Sequence, residues 1–161
     1  SPNNMDDFMS YLRHQTIGHD KVNQLRHVRF FGDIHGMVEH MRKHADIIRP
    51  KFEAVESILE RDLEGLGLGT WTKPLGGYFI MFDSYPGCAK DIVARAKKAG
   101  VVMTPAGATW PYGKDPNDSN IRIAPTYPSM GELESAMNIF TLCVRISAAK
   151  KILQERGDYN K

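Results

Sequence analysis

Cysteine is scarce in this sequence: Cys88 and Cys143 are the only two, and no short spacing links them. That excludes a disulfide scaffold and a cysteine-rich metal site, and a reduced, cytoplasmic protein is the plain expectation. Histidine is missing beyond His44, since all six lie before residue 45, so chemistry that needs an imidazole has none to draw on in the rest of the chain. Long apolar runs are lacking as well. None approaches the roughly 18 residues that cross a membrane, and the first residues have no signal-peptide core, so no membrane partner is expected. Nor is there an excess of one charge. Twenty-one Lys and Arg against 19 Asp and Glu leave +2 with no clustered basic stripe, so no nucleic-acid partner is expected. What is present, 42% hydrophobic and 25% charged residues over 161 positions, suits one globular domain with a full core.

Along the chain, Ser1 to Asn4 reads as a helix start, after which Met5, Phe8, Met9 and Leu12 recur at helical spacing. Beyond Gly18, Asp20 stands where it can cap a second helix with Val22, Leu25 and Val28 on one face, ending at Phe30-Phe31. From Asp33 a long helix is predicted. Ile34, Val38, Met41, Ala45, Ile48, Phe52, Val55, Leu59 and Leu63 form its continuous apolar stripe, and Pro50 is expected to bend it rather than end it. Gly65-Leu-Gly-Leu-Gly69 stops it. A dinucleotide-binding glycine loop follows a strand and opens a helix; this run does the reverse and reads as a terminator.

Three runs bounded by Gly, Pro and Asn then predict strands: Trp71 to Asp83 (interrupted at Gly76-Gly77), Val101 to Met103, and Asn120 to Pro125. A helix from Cys88 to Ala99 and a loop over 108–119, carrying Trp110 and Tyr112, separate them. Ser129 caps a last helix through Leu153, with Leu133, Met137, Phe140 and Val144 inward. The predicted class is α/β, a small domain in which a sheet of three or slightly more strands is covered by long helices.

Arg122 is the one charge within the third strand, and alternation puts it on the opposite face from Ile121 and Ile123. A guanidinium there must be paired or solvated, and its planar fork matches a carboxylate. A local partner such as Asp83 and a ligand carboxylate both satisfy that requirement. Gly76 and Gly77 mark a bulge or a place where another group approaches the backbone. His40 and His44 stand four apart on a helix, but no third ligand is evident and Arg42 and Lys43 adjoin them, so a solvated face and no metal are expected.

Pro74-Leu-Gly-Gly-Tyr-Phe79, then Gly100-Val-Val-Met-Thr-Pro-Ala-Gly107, then Asn120-Ile-Arg-Ile-Ala-Pro-Thr126 follow one another in a familiar order. In order and separation they resemble the C-terminal small domain of a fold-type I, pyridoxal-phosphate-dependent aminotransferase. The segment from Ile17 to Phe31 resembles what precedes that domain in a branch containing aspartate-type aminotransferases and MocR-type regulators. The resemblance implies that residues 1–32 are a helical segment packing on a large domain and that 33–161 are the small domain. It implies that Arg122 binds the substrate α-carboxylate, with Gly76 and Gly77 beside the substrate. It further implies a cytoplasmic homodimer that uses pyridoxal 5'-phosphate to move an amino group between an amino acid and a 2-oxo acid. The turn Pro105-Ala-Gly107 departs from the family's Pro-Gly.

In that family the cofactor lysine and phosphate cup belong to the large domain. None of Lys21, Lys43, Lys73, Lys90 or Lys114 stands in the family's Ser-Lys context. The expectation is therefore a C-terminal fragment with no catalytic, cofactor-binding or metal residue, no bound cofactor, and no transamination by itself. Two other readings stay open: the effector domain of a transcription regulator with this fold, and a cofactor-free interaction module.

Overall fold

Apolar spacing becomes helix wherever it was predicted. The computed structural model describes residues 2–157; Ser1, expected to help start the first helix, and residues 158–161 lie outside them. Its elements are α1 (Pro2–Thr16), α2 (Lys21–Phe31), α3 (Ile34–Leu63), β1 (Gly69–Trp71), β2 (Ile80–Ser84), α4 (Ala89–Lys98), a 3-10 turn at Pro111–Gly113, β3 (Asn120–Ile123) and α5 (Met130–Glu155). They fall into two units, Ser1–His44 and Ala45–Lys161.

In the first unit the Asp20 carboxylate accepts the Asn23 N–H at 2.9 Å and caps α2, as its position suggested. No residue of α1 or α2 is buried. Their amphipathic faces leave Met5, Phe8, Val22, Val28 and Phe30 exposed.

The second unit holds the core. β1, β2 and β3 form an antiparallel sheet in the order β1-β2-β3. Register pairs Ile80 with Ile123 and Phe82 with Ile121, and all four are buried. Against that face pack Val55, Leu59 and Leu63 of α3, Ile92 and Ala96 of α4, and Met137, Phe140 and Val144 of α5. α3 runs without a break through Pro50. Ser129 and Glu132 close a reciprocal capping box at the start of α5, meeting two otherwise orphaned N–H groups.

Two strand expectations are corrected. The run from Trp71 to Asp83 is not one interrupted strand but two antiparallel ones, β1 starting at Gly69 and β2 at Ile80. Pro74 has no N–H for a ladder, and Gly77 takes a φ of +90° that favours glycine, so the chain turns back. Val101 to Met103 is not a strand. The Val101 N–H returns to the Ala96 carbonyl at 2.8 Å as part of the α4 terminus, and Val102 is exposed. The third strand stops at Ile123, short of Pro125. Gly69 also has a packing role that its place in a glycine run did not reveal. A Cβ there would lie 2.5 Å from the Phe82 ring and 2.9 Å from the Asp83 carbonyl oxygen.

One polar group ties α3 to α5. Asp62 receives Nε and Nη2 of Arg61 at 2.6 and 2.8 Å and the Thr141 hydroxyl at 2.7 Å. The Arg61 fork, against the cost of partial burial and with help from Thr141, lowers the Asp62 carboxyl to about 2. Because the folded value lies below the ordinary 3.8, this stability is present above pH 4 and lost as pH falls toward 2. Acid titration of unfolding should show a loss on the order of 1–2 kcal/mol in that window. Asp62→Asn should flatten it; an unchanged slope in that variant would assign the acid sensitivity to other carboxylates.

Candidate functional site

The face of the sheet opposite the core carries Arg122. It sits across from Met81 in the ladder, half-buried, while its neighbours Ile121 and Ile123 point into the core. Its surroundings are unusual for a cation. Nη2 donates one long hydrogen bond, 3.4 Å, to the Thr104 hydroxyl. Nε is buried without a partner. The guanidinium carbon lies 4.5 Å from the centre of the Phe79 ring. Among the described residues no carboxylate lies within ion-pair distance of it.

Asp83, the local partner that strand alternation left open, is engaged elsewhere. It accepts Asn120 Nδ2 at 2.7 Å, and Asn120 Oδ1 in turn accepts the Thr109 hydroxyl at 2.6 Å. Arg122 instead opens on a cleft of about 820 Å³ walled by the 101–104 segment, by Tyr127 and by the first turns of α5. A guanidinium has five N–H donors, and here at most one is used. Such an arrangement can receive an anion, and a carboxylate matches its fork best.

Lys51 holds one wall of the cleft, and Asp115 orders the loop that leads into β3. Lys51 on α3 donates to the Thr126 and Pro128 carbonyls at 2.7 and 2.6 Å, fixing the segment on both sides of the exposed Tyr127. In the 108–119 loop, Asp115 folds the chain around its own carboxylate. Burial opposes its charge, but backbone N–H groups of Asn120, Ser119 and Asn117 outweigh that and hold it below the usual carboxylate value.

Gly76 and Gly77 lie in the exposed connection between β1 and β2, and a Cβ at either would meet nothing within 4 Å. Within this chain there is room for a side chain at both, and Gly77 is set by its backbone angle. His40 and His44 have ring centres 4.5 Å apart, and His40 packs edge-on against Phe30 and Phe31. Among the described residues no cluster of three potential metal ligands forms. Phe79 and Thr104 were not singled out from the sequence as neighbours of Arg122. Extending the alternation back from buried Ile80 would have put Phe79 on the Arg122 face; nothing in the sequence pointed to Thr104.

Comparison with known proteins gives consistent matches. A family model described as aspartate amino-transferase matches residues 1–156. A candidate aminotransferase of Mycolicibacterium smegmatis is 46% identical over 154 residues, 94% of this chain and 36% of that protein. An aspartate aminotransferase of Corynebacterium glutamicum is 46% identical over 134 residues, 83% of this chain and 31% of that protein. The crystal structure of an aspartate transaminase from C. glutamicum matches with a TM-score of 0.84 at 42% identity, over 94% of this chain and 36% of that one. An α-aminoadipate aminotransferase from Thermus thermophilus, solved with N-(5'-phosphopyridoxyl)-L-leucine, matches with a TM-score of 0.71 at 16% identity over 92% of this chain and 37% of that one, a likeness of fold alone. The chain spans about a third of the length of the curated relatives it matches.

Proposed function

The chain belongs to the aspartate amino-transferase family, and on that premise we propose that it is the substrate-holding part of a longer, pyridoxal-phosphate-dependent aminotransferase. The whole enzyme would move an amino group between an amino acid and a 2-oxo acid. One observation carries the reading: Arg122 is a cation with a single long hydrogen bond, no carboxylate partner among the described residues, and a cleft in front of it. A substrate α-carboxylate would supply the missing charge and accept two parallel N–H bonds.

Pyridoxal phosphate, when bound, supplies the electron-withdrawing ring on which the amino group is exchanged. The cleft offers a cation suited to a carboxylate, and we assign no residue of this chain to the cofactor. Arg122 would instead fix one end of the substrate. Held at the carboxylate, the substrate Cα presents a defined bond to catalytic groups outside this chain, and that orientation is the chain's contribution to rate. The match to the aspartate amino-transferase family supports this choice of cofactor.

The test uses the full-length protein with added pyridoxal phosphate. We expect a visible absorption band that borohydride abolishes, and a pyridoxyl group then found by peptide mass on a lysine outside residues 1–161. A folded full-length protein that shows no band, or a pyridoxyl group on a lysine of this chain, would remove the assignment.

A further inference from the structure

Given the reading of Arg122 above, we propose that Phe79 is a positioning residue. Its ring holds the Arg122 guanidinium in the orientation that receives the substrate carboxylate and takes up none of its N–H donors. A long arginine side chain that awaits a ligand must be kept from wandering among its rotamers. The usual restraint, a neighbouring carboxylate, would neutralise the charge and occupy the fork that the substrate needs. Arg122 has no such neighbour among the described residues, and its one bond to Thr104, at 3.4 Å, is too long to fix a plane.

What does meet it is the Phe79 ring, 4.5 Å from the guanidinium carbon. The ring attracts the cation through its quadrupole, not through a lone pair, so it orients the group without competing for its donors. The backbone that carries the ring is itself anchored. Phe79 directly precedes β2, whose first residue, Ile80, is fully buried opposite Ile123, and the next residue, Met81, is the register partner of Arg122. Phe79 is 44% exposed and outside the core cluster, so its ring can be altered without opening the interior.

The experiment compares the full-length wild type with Phe79→Leu, Phe79→Tyr and Arg122→Ala. The probe is succinate, which carries carboxylates but no amino group to react, and the readouts are its calorimetric Kd and the thermal midpoint of each protein. Phe79→Leu keeps an apolar side chain and removes the π face; we expect it to weaken succinate binding about three- to tenfold with little change in thermal midpoint. Phe79→Tyr restores the face and should bring Kd back to within about twofold of wild type. Arg122→Ala should lose more affinity than either. If Phe79→Leu binds like wild type while Arg122→Ala does not, the positioning role falls and the Arg122 reading stands. The role also falls if the Tyr variant fails to recover binding. If Arg122→Ala also binds like wild type, both readings fall together.

Discussion

Replacing Arg122 by Ala in the full-length protein is expected to lower kcat/KM for its amino-acid substrates by about 30-fold to several thousandfold, equivalent to about 2–5 kcal/mol. The size follows from what the side chain lacks in this structure. With no carboxylate partner among the described residues and one weak hydrogen bond, its charge is uncompensated until an anion arrives, so removing it strands the substrate carboxylate in a cleft whose described lining carries no other cation. The loss should appear in both parameters, with KM rising because a binding contact is gone and kcat falling because the substrate is no longer held in one orientation. Arg122→Lys should recover only part of it, since an ammonium is a point charge and cannot form the parallel pair. Kinetics unchanged in Arg122→Ala would make the residue structural.

The second large effect concerns the layer on which the site is mounted. Phe82→Ala should destabilise this chain by about 3–5 kcal/mol in denaturant unfolding. Phe82 is fully buried at the centre of β2. Its ring meets Phe140 of α5 edge-on at 5.2 Å and lies stacked with Trp71 of β1 at 6.4 Å. It therefore joins two strands and a helix, and no single neighbour can move to fill the space it leaves. Backbone has closed in around the ring as well: Gly69 sits where any Cβ would strike it. Because Phe82 and Arg122 lie on adjacent strands with opposite facing, the same loss should loosen the arginine's mount. A cost under about 1 kcal/mol would contradict this account of the core.

Much of this architecture was legible in the sequence, for physical reasons that also mark where legibility ends. Helix periodicity and side-chain caps are local, so Asp20 and Ser129 were found where the structure uses them. Strand alternation is local too, and it placed Arg122 on the face away from Ile121 and Ile123. The split of Trp71 to Asp83 into two strands was not readable, because apolar, β-branched composition is the same for one bulged strand and for two antiparallel ones. The apolar stripe of α3 illustrates a further limit. Its residues Phe52, Val55, Leu59 and Leu63 are buried, whereas Ile34 and Met41 on the same stripe are 60% exposed. Periodicity says that a face is apolar and is silent on what covers it. The neighbours of Arg122 were hidden for a similar reason. Thr104 is 18 residues away in sequence, just past the run Val101 to Met103 expected as a strand, and Phe79 reaches Arg122 only through the pairing of β2 with β3. The role proposed for Arg122 rests on chemistry and family membership together.

The most direct measurement is a double comparison in the full-length protein loaded with pyridoxal phosphate. Wild type and Arg122→Ala would each react with L-aspartate and with β-alanine, which keeps an amino group and a carboxylate but lacks the α-carboxylate. If Arg122 grips that group, the substitution should cost L-aspartate about 30-fold or more in kcat/KM and β-alanine about twofold or less. Equal losses on both donors would mean that Arg122 acts without regard to the α-carboxylate, and would contradict the central claim.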